Sequence, residues 1–254
     1  MGTIGVAADR AYATLCGSHP YLRPWHFQWL PTKDLYADLR RVLPGLEGRV
    51  LDVGCGDKPY ERWFAKARGY VGVDVSPGAR VDHVIERAVP WPFPDESFDV
   101  VLCTQVLEHV SDLAHVLHEL DRVLRPGGTL VVTVPFAYNE HGVPHDYRRF
   151  TAWEVRRMFG ERFEVLELKR QGGVGSTVGA LCLNWVESAA ARHRGLRLAK
   201  TLLLPAWIPV CALVNLAGAL LDALDRTDAY YGNVLLQARK RTAIPASAGP
   251  PKLP

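Results

Sequence analysis

The stretch that decides the fold is Arg49-Val50-Leu51-Asp52-Val53-Gly54-Cys55-Gly56-Asp57, which reads as a short apolar strand ending in an acid and then in Gly-x-Gly. Twenty residues after Gly54, a second apolar run, Tyr70-Val71-Gly72-Val73-Asp74, also ends in an acid. A ligand can approach the main chain of such a turn closely because glycine has no Cβ. An acid at the tip of the next strand can accept hydrogen bonds from two ribose hydroxyls. The pattern therefore predicts a site for a nucleoside-type cofactor.

The residues after the turn indicate which nucleoside it is. A dinucleotide site reads G-x-G-x-x-G, whereas here Gly56 is followed by Asp57-Lys58-Pro59-Tyr60 and the third glycine is missing. The carboxylates of Asp52 and Asp57 would repel a pyrophosphate, but they would tolerate or attract a cation such as a sulfonium. The pattern therefore favours S-adenosylmethionine over a nicotinamide dinucleotide.

On these motifs the chain resembles the class I S-adenosylmethionine-dependent methyltransferases, over roughly residues 48–170 and a final strand. The resemblance implies an α/β fold with a Rossmann-like, seven-stranded, mostly parallel sheet whose last strand is antiparallel. It also implies that the glycine turn meets the methionine part of the cofactor and Asp74 its ribose. An acid before the Pro92-Phe93-Pro94 segment would contact the adenine; Glu86 is the first candidate and Asp82 the second. The expected cofactor-binding residues are Asp52, Gly54, Cys55, Gly56, Asp74, Val75, Glu86 and Thr104.

Composition limits the class of protein and of partner. The 254 residues are 48% apolar, enough for a full core, and 30 basic residues nearly balance 27 acidic ones. Without a basic stripe or an Asn/Asp-Pro-Pro-Tyr motif after the fourth strand, we expect no nucleic-acid partner. The five scattered cysteines predict reduced thiols. Asp9 and Arg10 stand where a secretory leader would be apolar, so we expect a cytoplasmic protein with possible membrane association.

Strands and helices alternate along the chain, which predicts a parallel sheet covered on both faces. We expect an N-terminal region (1–47) that consists of an arm, irregular over residues 1–30, and a helix. It is followed by a methyltransferase domain (48–176 plus 230–241), an apolar helical insert (177–229) and a disordered tail (242–254). Helices are expected at 33–43, capped by Thr32, and near 59–67, with further helices capped by Ser111 and Thr151. The strands are expected at 49–53, 70–74, 82–86, 98–103, 129–134, 163–168 and 234–240.

The segment Thr201 to Leu221 contains no charge and is long enough to span a membrane. A span conflicts with the predicted return of the chain to the same sheet, and Pro205, Pro209 and Gly218 are expected to interrupt a single helix. Residues 198–224 are therefore predicted to be a peripheral membrane contact, a wall for a lipid-like substrate or a homodimer interface. We rank the first two ahead of the third.

Catalytic candidates lie on the segments that follow the fourth and fifth strands. The loop from Pro135 to Thr151 is dense in His, Tyr, Arg and acids and resembles a methyltransferase subgroup with a similar His-Asp-Tyr-x-Arg-Phe-Thr segment. His141 and His145 are the first candidates for a general base, and His109 is the third. The alternative is that Tyr147, Arg148 and Phe150 only anchor the next helix. Glu108-His109 is similar to a pair in the ubiquinone-biosynthesis branch, some members of which bind a divalent cation. We favour His109 as a structural residue that bridges loops over a metal ligand, and we predict no metal here.

The predicted function is methyl transfer to a small-molecule or lipid-like acceptor, with O-methylation favoured. Alternatives are C-methylation of a quinone-like ring and a non-catalytic, membrane-docked scaffold of the same fold. A nicotinamide oxidoreductase is disfavoured by the missing third glycine. Because a sulfonium is already an activated leaving group, the protein's main task would be alignment of the reactants.

Overall fold

The computed structural model describes residues 3–242, with side chains from Arg10 onward except that of Arg194. All but one residue of the predicted tail (242–254) lies outside this range. The helices and strands of the described part are α1 Thr3–Cys16, α2 Trp29–Val42, β1 Glu47–Val53, β2 Lys66–Asp74, β3 His83–Val84, β4 Phe98–Thr104, α3 Leu113–Val123, β5 Leu124–Pro135, α4 Ala152–Phe159, β6 Phe163–Gln171, α5 Val174–Arg192, α6 Arg194–Leu202, α7 Leu204–Leu224 and β7 Asn233–Lys240.

The strands form one seven-stranded sheet with the order β3-β2-β1-β4-β5-β7-β6. The four pairings from β3 to β5 are parallel. β7 runs antiparallel to β6, since the Gly232 N–H donates to the Gln171 oxygen at one end and the Arg241 N–H to the Arg162 oxygen at the other. The predicted fold class, a mostly parallel sheet with an antiparallel last strand, is confirmed.

Burial of the central strands explains why they lack the alternating pattern of a one-sided sheet. Val50 and Leu51 of β1, Val100 to Cys103 of β4 and Leu130 to Val132 of β5 are all buried. Strands covered on both faces read as continuous apolar runs. Since β1, β2, β4 and β5 are parallel, their last residues lie at one edge of the sheet, where ligands of such sheets bind.

The chain divides into two compact units. The first takes the chain up to Arg40, Phe136–His141 and Arg170–Asn233. The second, which holds most of the sheet, takes Arg41–Pro135, Gly142–Lys169 and the chain from Val234 onward. The finer division into a domain and a 177–229 insert stays a prediction.

Two local predictions are wrong. The irregular arm expected over residues 1–30 contains helix α1. The helix expected near 59–67 is reduced to a 3-10 turn at Glu61–Trp63, and β2 begins at Lys66. Lys66 and Ala67 pair with Glu47 and Gly48 of β1. These two residues therefore belong to the sheet and cannot be part of the helix predicted near 59–67.

Helix α7 is continuous, contrary to the predicted interruption. Pro205 lies in its first turn, where a missing N–H costs no helical bond. Pro209 lies inside the helix, and Gly218 packs closely on α5, where an added Cβ would lie 3.0 Å from the Gly175 oxygen. Among the described helices, α7 alone is long and apolar enough to cross a membrane by these two criteria.

Candidate functional site

The glycine turn after β1 is built by main-chain bonds to β2. The N–H groups of Gly54 and Cys55 both donate to the Val73 oxygen, at 2.8 and 3.1 Å. Gly54 and Gly56 have φ angles of 70° and 48°, the left-handed region that favours glycine. A Cβ on Gly54 would lie 2.3 Å from Val106, whereas one on Gly56 would meet nothing within 4 Å. The turn is therefore packed against Val106 at Gly54 and open at Gly56, where a ligand can approach the main chain.

Asp74 ties the tip of β2 to this turn. Its Oδ2 accepts from the Gly56 N–H at 3.2 Å and its Oδ1 from the Ser76 N–H at 3.0 Å. A carboxylate offers about four lone-pair sites, so two acceptor positions remain for a ligand's hydroxyls. Asp74 is half-buried and Val75 beside it is exposed, so both can reach a nucleoside bound above the turn.

Asp52 occupies a different environment from Asp74. It is 1% exposed, and its Oδ2 accepts from the Tyr70 hydroxyl at 2.6 Å. Burial is the main cause that raises the pKa of Asp52 to about 7, against the lowering effect of Tyr70 and of Lys58. Asp52 therefore supports the turn from the interior, and its predicted contact with the cofactor stays a prediction.

Replacing Asp52 by asparagine should change how stability depends on pH. The free carboxyl ionises near pH 3.8 in the unfolded chain but near pH 7 in the fold. Between these values the unfolded state holds fewer protons, so the stability contributed by Asp52 is present below pH ~4 and is lost as the pH rises through 7. Between pH 5 and pH 8, the unmodified protein should therefore lose about 2–3 kcal/mol of unfolding free energy that the Asp52→Asn variant does not lose.

Denaturant unfolding at the two pH values measures this difference. The matched control is Asp95→Asn, which removes an exposed carboxylate paired with Arg122 at 2.8 Å. Parallel pH profiles for Asp52→Asn and the unmodified protein would contradict the burial argument.

The two candidates for the adenine contact, Glu86 and Asp82, have different surroundings in the structure. Asp82 is committed to the protein, because its Oδ2 accepts from Lys58 Nζ at 2.6 Å and from the Gly72 N–H at 2.7 Å. Glu86 is exposed. Thr104 ends β4 at the same edge as Asp74 and is buried, with a hydrogen bond to Tyr60. Glu86 thus remains the first candidate for the adenine, and its role stays a prediction.

Glu108 and His109 form a second polar group, on the 3-10 turn Leu107–His109 that follows β4. Glu108 is fully buried, and within the described residues neither of its carboxylate oxygens has a hydrogen-bond partner. Burial raises the pKa of Glu108 to about 8. The Oε1 atom of Glu108 lies 3.9 Å from His109 Nε2. A neutral acid is thus held beside an imidazole nitrogen.

The tautomer of His109 follows from its other contact. Its Nδ1 lies 2.6 Å from the main-chain oxygen of His145. Because a carbonyl oxygen only accepts, Nδ1 carries the proton, and Nε2 of the neutral ring is the basic nitrogen. A carbonyl on the far side of an imidazole also stabilises the cation that forms when Nε2 takes a proton.

The segment 142–151 is fastened onto this turn. The Tyr147 N–H donates to the Glu108 oxygen at 2.8 Å, and the Arg148 guanidinium donates to the Val110 oxygen. Phe150 is buried, and its N–H donates to the Pro135 oxygen at 2.9 Å. The Nδ1 of His145 lies 2.9 Å from the Tyr147 hydroxyl. Arg148 and Phe150 thus have structural contacts, but whether they only anchor the next helix stays a prediction. The main-chain oxygen of His145 contacts His109.

His141 belongs to the first unit. Its Nδ1 lies 3.2 Å from the Asn139 oxygen, and its ring packs edge-on against Tyr138. The Tyr138 hydroxyl donates to Gln28 at 2.7 Å. A catalytic role for His141 stays a prediction, as it does for His109 and His145.

Sequence reasoning missed the state of Glu108 and the pair formed by Lys58 and Asp82. The sequence marks Glu108 only as a neighbour of His109, yet it is buried and both of its carboxylate oxygens lack a hydrogen-bond partner among the described residues. The signal that could have found it is its position shortly after a buried strand, with apolar Val106-Leu107 before it and Val110 after His109. Lys58 gave no such signal, because its ion pair spans 24 positions.

The chain is similar to known methyltransferases. A family model described as a methyltransferase domain matches residues 51–132. A demethylmenaquinone methyltransferase of Tropheryma whipplei is 35% identical over 121 residues, covering 43% of this chain and 50% of its own. A ubiquinone biosynthesis O-methyltransferase of Hahella chejuensis is 37% identical over 111 residues, covering 37% and 45%. The chain thus spans about half the length of the curated relatives it matches.

Solved structures agree on the fold. The crystal structure of the [4+2]-cyclase SpnF matches with a TM-score of 0.53 and 26% identity, covering 83% of this chain and 82% of that one. Residues 51–132, which the methyltransferase domain model matches, contain Asp52, the glycine turn and Asp74. Residues 51–132 thus match a methyltransferase domain, in agreement with the resemblance to the class I S-adenosylmethionine-dependent methyltransferases.

Proposed function

We propose that the protein transfers a methyl group from S-adenosylmethionine to a small-molecule acceptor. The observation that carries the proposal is the open glycine turn whose Gly56 N–H is bound by Asp74, at the carboxyl edge of the sheet. The residues fit the cofactor, since Gly54 to Gly56 would receive its methionine part and Asp74 its ribose. Val75, Thr104 and Glu86 lie on the segments that would enclose the adenosine.

We further propose a quinone-related, lipid-like acceptor that is methylated on a hydroxyl oxygen. This is supported by the relatives, whose names include ubiquinone and demethylmenaquinone methyltransferases and, for the Hahella chejuensis protein, O-methylation. The proposal is also supported by His109, because a hydroxyl must lose its proton during transfer and a positioned imidazole nitrogen can accept it.

When bound, S-adenosylmethionine would supply a methyl carbon on a sulfonium: as the acceptor oxygen formed a bond to that carbon, the C–S bond would break and S-adenosylhomocysteine would leave. His109 Nε2 takes the acceptor's proton. The His145 oxygen holds the imidazole in the required tautomer through Nδ1. Glu108 lies 3.9 Å from Nε2. A nearby positive charge lowers the pKa of a carboxyl, so Glu108 would release its own proton to water as His109 became charged, and its carboxylate would stabilise the imidazolium.

Two measurements test the proposal in sequence. Calorimetry with S-adenosylmethionine should show binding at one site per chain, and absence of heat would favour the non-catalytic scaffold. Transfer of isotope-labelled methyl to phenolic quinol acceptors should then be followed, with the product's methylated atom assigned by mass spectrometry. A structurally similar protein is a cyclase, so cofactor binding alone does not establish methyl transfer. Binding without transfer to any acceptor would contradict the proposed reaction. Methyl on a ring carbon would favour the C-methylation alternative.

A further inference from the structure

Helix α7 has an inverted polarity. Its buried stripe contains Cys211, Asn215 and Gly218, and Asn215 Nδ2 donates to the Pro24 and His26 oxygens at 2.7 and 2.9 Å. Its exposed residues include no polar side chain at all. They are Pro205, Ala206, Pro209, Val210, Leu213, Leu216, Ala217, Leu220, Leu221, Ala223 and Leu224, here called the outer face. A helix that faces water shows the opposite arrangement.

Helix α5 packs against α7 and shows the same inversion. Its Ser176, Thr177 and Asn184 are buried, and the Asn184 amide oxygen accepts from Gln28 at 2.9 Å. The exposed residues from Val174 to Glu187 are Val178, Leu181, Cys182 and Trp185, and Trp185 is 73% exposed. Contiguous apolar surface of this extent marks an interaction site.

The charges around this surface are unequal. The acids of α5 to α7 are used inside the unit: Glu187 pairs with Lys200, and Asp222 accepts from the Ser176 N–H at 2.8 Å and pairs with Lys33 at 3.2 Å. Arg192 and Arg197, by contrast, are exposed. The apolar surface is therefore flanked by exposed Arg192 and Arg197 on the side of α5 and α6, and by exposed Arg226 and Asp228 beyond the end of α7.

We propose that α5, α6 and the outer face of α7 dock this protein onto an anionic lipid bilayer, with the helices lying in the interface. Helix α6 fits the same arrangement, since Leu196, Leu198 and Leu202 are exposed beside Arg197. Interfacial helices combine an apolar face with flanking cations in this way. Aromatic side chains such as Trp185 favour the headgroup region.

Charge complementarity favours a membrane over a second copy of the chain. Glu187 and Asp222 are the acids within α5 to α7, and both are occupied. The helices α5 to α7 of another copy would thus offer Arg192 and Arg197 no exposed carboxylate. Anionic headgroups would pair with them, contributing about five-fold in affinity for each arginine.

Cys182 reports on this surface without any substitution. It is exposed on α5, whereas Cys16, Cys55, Cys103 and Cys211 are buried. A water-soluble thiol reagent should therefore react first at one site in the native full-length chain. We expect vesicles of 30% phosphatidylglycerol in phosphatidylcholine to slow this reaction at least ten-fold, and pure phosphatidylcholine vesicles to slow it less.

Vesicle flotation with variants provides a second test. Leu216→Glu places a charge on the outer face and should lower the bound fraction at least ten-fold. The matched control Leu166→Glu changes an exposed leucine of β6 and should bind normally. Arg192→Gln with Arg197→Gln should weaken binding to anionic vesicles about 25-fold while leaving binding to neutral vesicles unchanged.

The outcomes are distinct from those of the methyl-transfer assay, because neither test measures turnover. Labelling of Cys182 at one rate with and without anionic vesicles would overturn the proposal. So would protection that rises with protein concentration in the absence of lipid, since that result identifies a second copy as the occupant. Thermal unfolding of each variant shows that a lost interaction is not a lost fold.

Discussion

Replacing His109 by alanine is expected to lower the turnover number for methyl transfer by about 10²–10⁴-fold, the usual contribution of a general base. The affinity for S-adenosylmethionine should stay the same, because His109 lies on the turn after β4 and not on the glycine turn. Its Nδ1–H is held by the His145 oxygen at 2.6 Å, so the basic nitrogen has a fixed position. Steady-state kinetics with an identified acceptor and calorimetry with the cofactor would measure the two quantities separately.

The matched control is His118→Ala, which removes an exposed imidazole from α3 and should leave turnover unchanged. Glu108→Gln keeps the shape of the buried side chain but removes its ability to ionise, so we expect a smaller loss of turnover than for His109→Ala. His141→Ala and His145→Ala should be measured beside them. An unchanged rate in His109→Ala, together with a loss of rate in His141→Ala or His145→Ala, would identify that other histidine as the base.

The second large effect is expected for Asp74→Asn, which should weaken S-adenosylmethionine binding roughly 100-fold. The carboxylate already orients the Gly56 and Ser76 N–H groups, and it is the group expected to accept the ribose hydroxyls. A hydrogen bond to a charged group contributes about 1.5–3 kcal/mol, and an amide keeps only one accepting oxygen. Calorimetry with the cofactor measures the loss directly.

The control for this variant is Asp95→Asn, whose carboxylate pairs with Arg122 on an exposed surface. Thermal unfolding without ligand separates loss of binding from loss of fold. An unchanged dissociation constant for Asp74→Asn would contradict the proposed contact between Asp74 and the ribose of the cofactor. The assignment of the glycine turn as a cofactor cradle would then lose its main support.

Local patterns predict the strands well because burial on both faces leaves a continuous apolar signal, as in β1 and β4. The cap of α4 is equally local, since Thr151 accepts from the Glu154 N–H as its spacing predicts. Cooperative sheet pairing is not local, and it decides against a helix at 59–67 by drawing Lys66 into β2. The cap of α3 is Asp112 and not Ser111, a shift of one residue that propensity does not resolve.

The candidate site shows the same difference between local features, which the sequence predicts, and long-range contacts, which it does not. Gly54, Gly56 and Asp74 could be identified because their spacing along the chain reflects one turn between two adjacent strands. The buried state of Asp52 could not, since it depends on Tyr70, which sits 18 positions away. Nor could the contact between His109 and His145, which joins two segments 36 positions apart.

The order of the strands also has a consequence for solubility. The sheet ends in β3 on one side and in β6 on the other. β3 has two residues, too few to template a neighbouring chain. β6 is longer, but it carries Glu164, Glu167 and Lys169, and charged side chains on a terminal strand oppose intermolecular β-pairing. Amyloid-like growth through this sheet is therefore discouraged at both ends.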